Sequence, residues 1–157
     1  MLDFKALLFD LDGTLVDTAP DFITAVKKQL KIRGGQLHDG DLVRTSVTHG
    51  SIGIIESVYD IKQDNPHFES LKEEFLELYL GNIAEKSQLF EGLQCVLDNC
   101  KKNCIPWGII TNKPLKYTQP LLEALGLEQQ SAITICPDHV AQPKPDPEGL
   151  LLSLIHI

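Results

Sequence analysis

From Phe4 to Phe9 the chain is apolar at every position but Lys5, and the run closes on Asp10. So continuous a run suits a strand buried on both faces of a parallel sheet better than an alternating surface strand. The period then changes. Thr18 and Pro20 supply helix-start signals, and Phe22, Ile23, Val26 and Leu30 recur at helical spacing until Gly34-Gly35 ends the pattern. Asp41–Val47 and Ser51–Tyr59 predict two shorter helices on either side of His49-Gly50, and Asn65-Pro66 opens a longer one carrying Phe68, Leu71, Phe75 and Leu78. From Glu91 onward helix and strand alternate. A helix built on Leu93, Val96, Leu97 and Cys100 precedes a strand Trp107–Ile110, then a helix Thr118–Leu125 and a strand Ala132–Cys136.

Such alternation predicts an α/β fold with a Rossmann-like parallel sheet, whose ligands sit beyond the carboxyl ends of the strands. The first strand belongs with the later βα units. Residues 1–17 and 87–157 therefore form the expected core, and residues 18–86 an inserted helical cap.

Composition narrows the partners. At 157 residues the chain is long enough for a real core and a modest insertion. Its 43% hydrophobic and 23% charged content is ordinary for a soluble protein, and no apolar run approaches the ~18 residues of a membrane span. No membrane association is expected. The first apolar stretch contains Asp3 and Lys5 and lacks a small-residue cleavage site, so a cytoplasmic location is expected. The net charge of −8 argues against nucleic acid as a partner, because phosphate backbones are bound by concentrated Lys and Arg. Cys95, Cys100, Cys104 and Cys136 form no Cys-x-x-Cys pair and read as reduced, structural thiols.

Three motifs fall at predicted strand ends. In Asp10-Leu11-Asp12-Gly13, an extended backbone would point Asp10 and Asp12 to the same side, giving two carboxyl groups that can divide nucleophilic and proton-transfer work. Gly13 allows a tight turn and a close approach of backbone to phosphate. The glycine comes two residues too early for an EF-hand loop. In Thr111-Asn112-Lys113-Pro114, a hydroxyl and backbone N–H groups past a buried strand suit phosphoryl oxygens. In Pro143-Lys144-Pro145-Asp146-Pro147, prolines stiffen the chain around an ammonium that can face developing negative charge. Each motif alone also reads as an ordinary turn, helix cap or surface loop.

Together, and in this order, they resemble the haloacid dehalogenase-like hydrolase superfamily. The resemblance implies that Asp10 is the nucleophile, Asp12 the general acid and base, and that Gly13, Thr111, Asn112 and Lys144 bind phosphate. It also implies Mg2+ held by the Asp10 carboxylate, the Asp12 main-chain carbonyl and a carboxylate from a fourth Gly-Asp-x-x-x-Asp motif. No such motif follows Lys144. Dehalogenases of the superfamily lack the second Asp, and phosphonoacetaldehyde hydrolases replace it with a cap lysine. Asp12 thus points to a magnesium-dependent phosphomonoesterase acting on a small-molecule phosphate ester.

The segments Val16–Phe22, Leu89–Gly92, Ile110–Pro114, Ile135–Val140 and Lys144–Pro147 are similar to the phosphoglycolate phosphatase-like branch, and most of all to its N-acetylmuramic acid 6-phosphate phosphatases. A monomer is expected. His49, Gly50 and Ser51, at a helix start in the cap, are candidates to meet the substrate, or form a polar turn between helices. A sugar phosphomutase and a non-catalytic protein or inactive fragment that binds a phosphorylated metabolite are the alternative readings. Because the resemblance ends near Leu152, the core is expected to lack its C-terminal strands. Residues 152–157 are expected to be encoded by a transposon end of the kind used in sequencing libraries.

Overall fold

The computed structural model describes residues 5–157, so Phe4, assigned above to the first strand, lies outside the described residues. By its contacts the chain divides into two units. One comprises the described residues up to Asp17 together with Gln88–Ile157, and the other is Thr18–Ser87.

The first unit is built on a three-stranded parallel sheet in the order β1 (Leu7–Phe9), β4 (Trp107–Ile110), β5 (Ile133–Ile135). Helix α6 (Leu115–Ala124) connects β4 to β5, and α5 (Leu93–Lys102) leads into β4, so each parallel crossover is helical. All four residues of β4 are buried, as its unbroken apolar sequence requires. Gly108 lies at the tightest point of the sheet, where an added Cβ would come within 2.7 Å of Ile133 Cγ2 and 2.9 Å of its carbonyl oxygen. No larger residue fits there without parting β4 from β5. Phe9 stands opposite Ile109, and Ile110 opposite Ile135. This register brings the carboxyl ends of the three strands to one edge of the sheet, where Asp10, Thr111 and Cys136 follow them.

The chain leaves this unit through β2 (Val16–Asp17) and re-enters it through β3 (Gln88–Leu89). The two segments pair antiparallel, with Val16 opposite Leu89 and Asp17 opposite Gln88. Two residues per strand are too few to show a hydrophobic period, and this ribbon was not among the predicted elements.

The second unit is entirely helical: α1 (Ala19–Ile32), α2 (Gly40–Ser46), α3 (Gly50–Tyr59) and α4 (Phe68–Leu80), with a 3-10 turn at Val47–His49. Its core mixes aliphatic side chains with the rings of Phe22, Phe68, Phe75 and Tyr79. Phe22 stacks on Tyr79 at 4.3 Å between ring centroids and packs near Phe75 at 6.0 Å, which fastens α1 to α4. Gln29, fully buried on α1, donates to the Leu71 carbonyl at 2.7 Å and to Glu74 Oε2 at 3.0 Å. The Gln29 bond, with help from Arg33, holds Glu74 below the usual carboxylate range despite the opposing effect of burial.

Asp21 closes the ends of this unit on each other. Its buried carboxylate accepts from the main-chain N–H of Lys86 at 2.8 Å and of Ser87 at 3.1 Å, and from the Ser87 hydroxyl. Hydrogen bonds to a charged acceptor are stronger than neutral ones, and removing the acceptor strands buried donors. Asp21→Ala should therefore lower unfolding stability by about 3 kcal/mol or more, against about 1 kcal/mol for Ser87→Ala. Urea denaturation of both variants checks the ranking, and equal losses would show that the three bonds do not act through the carboxylate.

The last helix, α7, runs Glu148–His156 and exposes Leu151, Leu154 and Ile155. Among the described residues no helix is long and apolar enough to cross a membrane. All four cysteines are free, with Cys100 and Cys136 buried and their thiols pushed up by burial.

Candidate active site

The first strand ends at Phe9, and a hydrogen-bonded turn closes over the residues that follow, up to Val16. The main-chain N–H groups of Leu15 and Val16 both bond back to the Leu11 carbonyl, and that of Gly13 to the Val16 carbonyl. Gly13 makes this possible with φ +76°, in the left-handed region that suits glycine. The turn follows the two aspartates, and Leu11 between them is fully buried while Asp10 is exposed and Asp12 half-buried. The two carboxylates meet two different lysines.

Asp10 Oδ1 accepts from the Leu11 N–H at 2.8 Å and from Lys144 Nζ at 2.7 Å. Both bonds fall on one oxygen. Oδ2 accepts no hydrogen bond among the described residues, so the carboxylate is oriented through Oδ1 while its second oxygen stays available to a ligand. Lys144 is itself steered by the Ile110 carbonyl, which its ammonium meets at 2.9 Å.

Asn112 fixes the backbone beneath that lysine. Its amide donates to the Lys144 carbonyl and accepts from the Lys144 N–H, each at 3.0 Å, across 32 residues of sequence. Further along the same loop, Glu148 accepts from Ala141 and Gln142 N–H groups at 3.0 and 2.8 Å, and these bonds hold its carboxyl below the usual range. Helix α6 begins three residues before its predicted start because Asp138, from the turn after β5, caps the Leu115 N–H at 2.8 Å. The Thr111 hydroxyl oxygen accepts the Lys113 N–H at 3.0 Å, so its own proton remains to be donated.

Lys113, which the sequence motifs do not single out, also belongs to this candidate site. Its ammonium reaches Asp12 Oδ1 at 3.1 Å and Oδ2 at 3.4 Å, with only 6% of the Lys113 side chain and 19% of the Asp12 side chain exposed. The available signal was its place directly after Thr111-Asn112 at a strand exit.

Asp10, Asp12, Gly13, Thr111, Asn112 and Lys144 therefore all lie in the sheet unit, at its strand ends and the loops tied to them. His49, Gly50 and Ser51 lie in the helical unit, where His49 closes the 3-10 turn and Gly50, at φ +63°, opens α3. Among the described residues no group of three or more His, Cys, Asp or Glu side chains is placed to hold a metal. The oxygens at hand, a carboxylate and main-chain carbonyls, are nonetheless the hard donors Mg2+ prefers, and Mg2+ needs only one or two carboxylates when substrate phosphate and water complete its shell.

A carboxylate at the end of β1 is oriented by an ammonium, a hydroxyl donor stands at the end of β4, and the chain as a whole matches the group its motifs resemble. The profile of haloacid dehalogenase-like hydrolases aligns with residues 4–154. The chain belongs to this family. The hydrolase is 42% identical over 149 residues to an N-acetylmuramic acid 6-phosphate phosphatase of Pseudomonas putida, covering 95% of this chain and 67% of the relative. It is 36% identical to a phosphoglycolate phosphatase of Xanthomonas campestris with the same coverage of each chain. It thus spans about two thirds of the length of these curated relatives. A crystal structure of a predicted phosphoglycolate phosphatase from Haemophilus somnus superposes with a TM-score of 0.79 at 26% identity, covering 98% of this chain and 71% of that one.

The two ion pairs differ in shielding, and their energetics should differ accordingly. A double-mutant cycle on Lys113→Met and Asp12→Asn should give a coupling of about 1–3 kcal/mol in unfolding free energy, because each single change strands a shielded partner. The same cycle on Lys144→Met and Asp10→Asn, with side chains 32% and 46% exposed, should stay below about 1 kcal/mol. The reverse order would mean that solvent shielding does not set the strength of these pairs.

Proposed function

We propose that the hydrolase is a magnesium-dependent phosphomonoesterase that works through an aspartyl-phosphate on Asp10. The observation that carries this reading is the asymmetric anchoring of the Asp10 carboxylate, with Oδ1 held by Leu11 N–H and Lys144 and Oδ2 left as the attacking oxygen. Oδ2 attacks phosphorus in line with the ester oxygen, which departs with a proton from Asp12. Asp12 then takes a proton from water, whose oxygen attacks the phosphoryl group and releases phosphate and the restored carboxylate. Lys113 fixes where the Asp12 carboxyl points during both transfers. Lys144, the Thr111 hydroxyl, Asn112 and the Gly13 backbone stabilise charge on the transferring group, where most catalysis of phosphoryl transfer arises. Mg2+ would be held by the Asp10 carboxylate and the Asp12 main-chain carbonyl, and when bound it neutralises charge on the phosphoryl oxygens.

The relatives named above suggest the substrate: N-acetylmuramic acid 6-phosphate first, in cytoplasmic recycling of cell-wall sugar, and 2-phosphoglycolate second. The helical unit would act as a cap over the core, with His49, Gly50 and Ser51 contributing to substrate choice and the protein working as a monomer.

Trapping decides the chemistry. With magnesium and beryllium fluoride the chain should form an adduct on Asp10, and Asp10→Asn should form none while losing turnover of p-nitrophenyl phosphate by on the order of 10³-fold or more. Adduct-free, magnesium-independent hydrolysis would sink the reading, and phosphate retained on the sugar would mark a mutase. Asp12→Asn should slow hydrolysis of an alkyl phosphate by about 10²–10⁴-fold and that of p-nitrophenyl phosphate far less, since nitrophenolate leaves with little protonation. Equal losses on the two substrates would remove Asp12 from proton transfer.

A further inference from the structure

The helical unit carries a charge distribution that the phosphatase chemistry does not use. Residues 18–87 contain eight Lys and Arg and eleven Asp and Glu, in a chain whose net charge is −8. Five of those eight cations, Lys27, Lys28, Lys31, Arg44 and Lys86, line a single open cavity of about 390 Å³, and none of the eleven acids does. The lysines among them differ from the ion-paired cations elsewhere on this unit, where Arg33 pairs with Glu74, Lys62 with Glu56 and Lys72 with Glu69.

Helical geometry explains how the cations converge. Lys27, Lys28 and Lys31 follow Pro20, Ile23 and Thr24 at spacings of three and four, so one face of α1 presents an apolar patch at its start and ammonium groups beyond it. Lys28 is directed by the Asn82 side-chain oxygen, and Lys86 reaches the Thr24 hydroxyl at 3.3 Å. Both acceptors are neutral, so these contacts position the ammonium groups without cancelling their charge. Like charges gathered around a concave surface focus a positive potential, which an anion relieves. A cavity of this volume is the size of a small-molecule site, and its apolar end suits an uncharged body beside the anionic group.

We propose that this cavity is a binding site for a small phosphorylated metabolite carrying at least two negative charges. Its lining comes only from the helical unit, so the site stands independently of the chemistry proposed for Asp10. The oxygens of the ligand's phosphate groups take charge-assisted hydrogen bonds from Lys27, Lys31 and Lys86, and its uncharged part rests on Pro20 and Ile23.

Inorganic pyrophosphate, titrated calorimetrically into the full chain at 0.15 M salt without magnesium, is the test. Binding should survive Lys144→Ala, which removes the ammonium beside Asp10. It should weaken at least tenfold in Lys27→Glu/Lys31→Glu, and by a smaller factor in Lys27→Gln/Lys31→Gln, which guards against misfolding of the reversed variant. Lys62→Glu/Lys72→Glu changes net charge equally but away from the cavity, and it should stay within twofold of the parent. Loss of all binding in Lys144→Ala, or equal weakening in the two charge-reversed variants, would overturn the proposal.

Discussion

Parallel pairing of β1 with β4 is the constraint from which the rest of the architecture follows. Leu7 finds its partner at Trp107, and only then do the ends of the two strands lie level. Lys113 and Asp12 are 101 residues apart in sequence, and Lys144 and Asp10 are 134 apart, so both ion pairs exist only because this sheet has formed. Hydrophobic burial of β4 drives the pairing, and Gly108 lets β5 approach closely enough to complete it. The candidate active site is thus a product of strand register. None of its side chains needs to find another unaided.

The two lysine–aspartate pairs illustrate how one sheet edge can hold both fixed and exchangeable charge. Lys113 and Asp12 are shielded and bonded through both carboxylate oxygens, a geometry that resists replacement by water. Lys144 and Asp10 are more open and joined through one oxygen. An ammonium in that setting gives up its contact at small cost, which the phosphate-binding role proposed for Lys144 requires. Asn112 holds the lysine's backbone through both its carbonyl and its N–H.

Much of this was legible in the sequence, and the exceptions share a cause. The strand Trp107–Ile110 was read to the residue, since an apolar run bounded by Pro106 and Thr111 carries its own limits. The α6 start was misplaced because its cap, Asp138, comes from a different loop. Asp10 and Asp12 were recognised as a pair, but the turn at Leu11 depends on a core that a local period cannot display. Lys113 gave no sign of burial, because lysines at strand exits usually face water, and only the folded position of Asp12 makes it internal. The basic cavity was hidden for a related reason: a negative net charge says nothing of how the positive residues are grouped.

The doubly fastened entrance to the helical unit bears on how such a protein can diversify. Pairing of Val16 and Asp17 with Leu89 and Gln88 fixes where the inserted chain departs and returns, and Asp21 ties the insert's own ends together. With both ends set, doubling the length of the intervening chain adds only about 0.6 kcal/mol of closure entropy. Helices between Thr18 and Ser87 can therefore be lengthened, exchanged or recharged over generations while the register beneath Asp10 is inherited unchanged, so that new ligands are sampled without the catalytic chemistry being invented again.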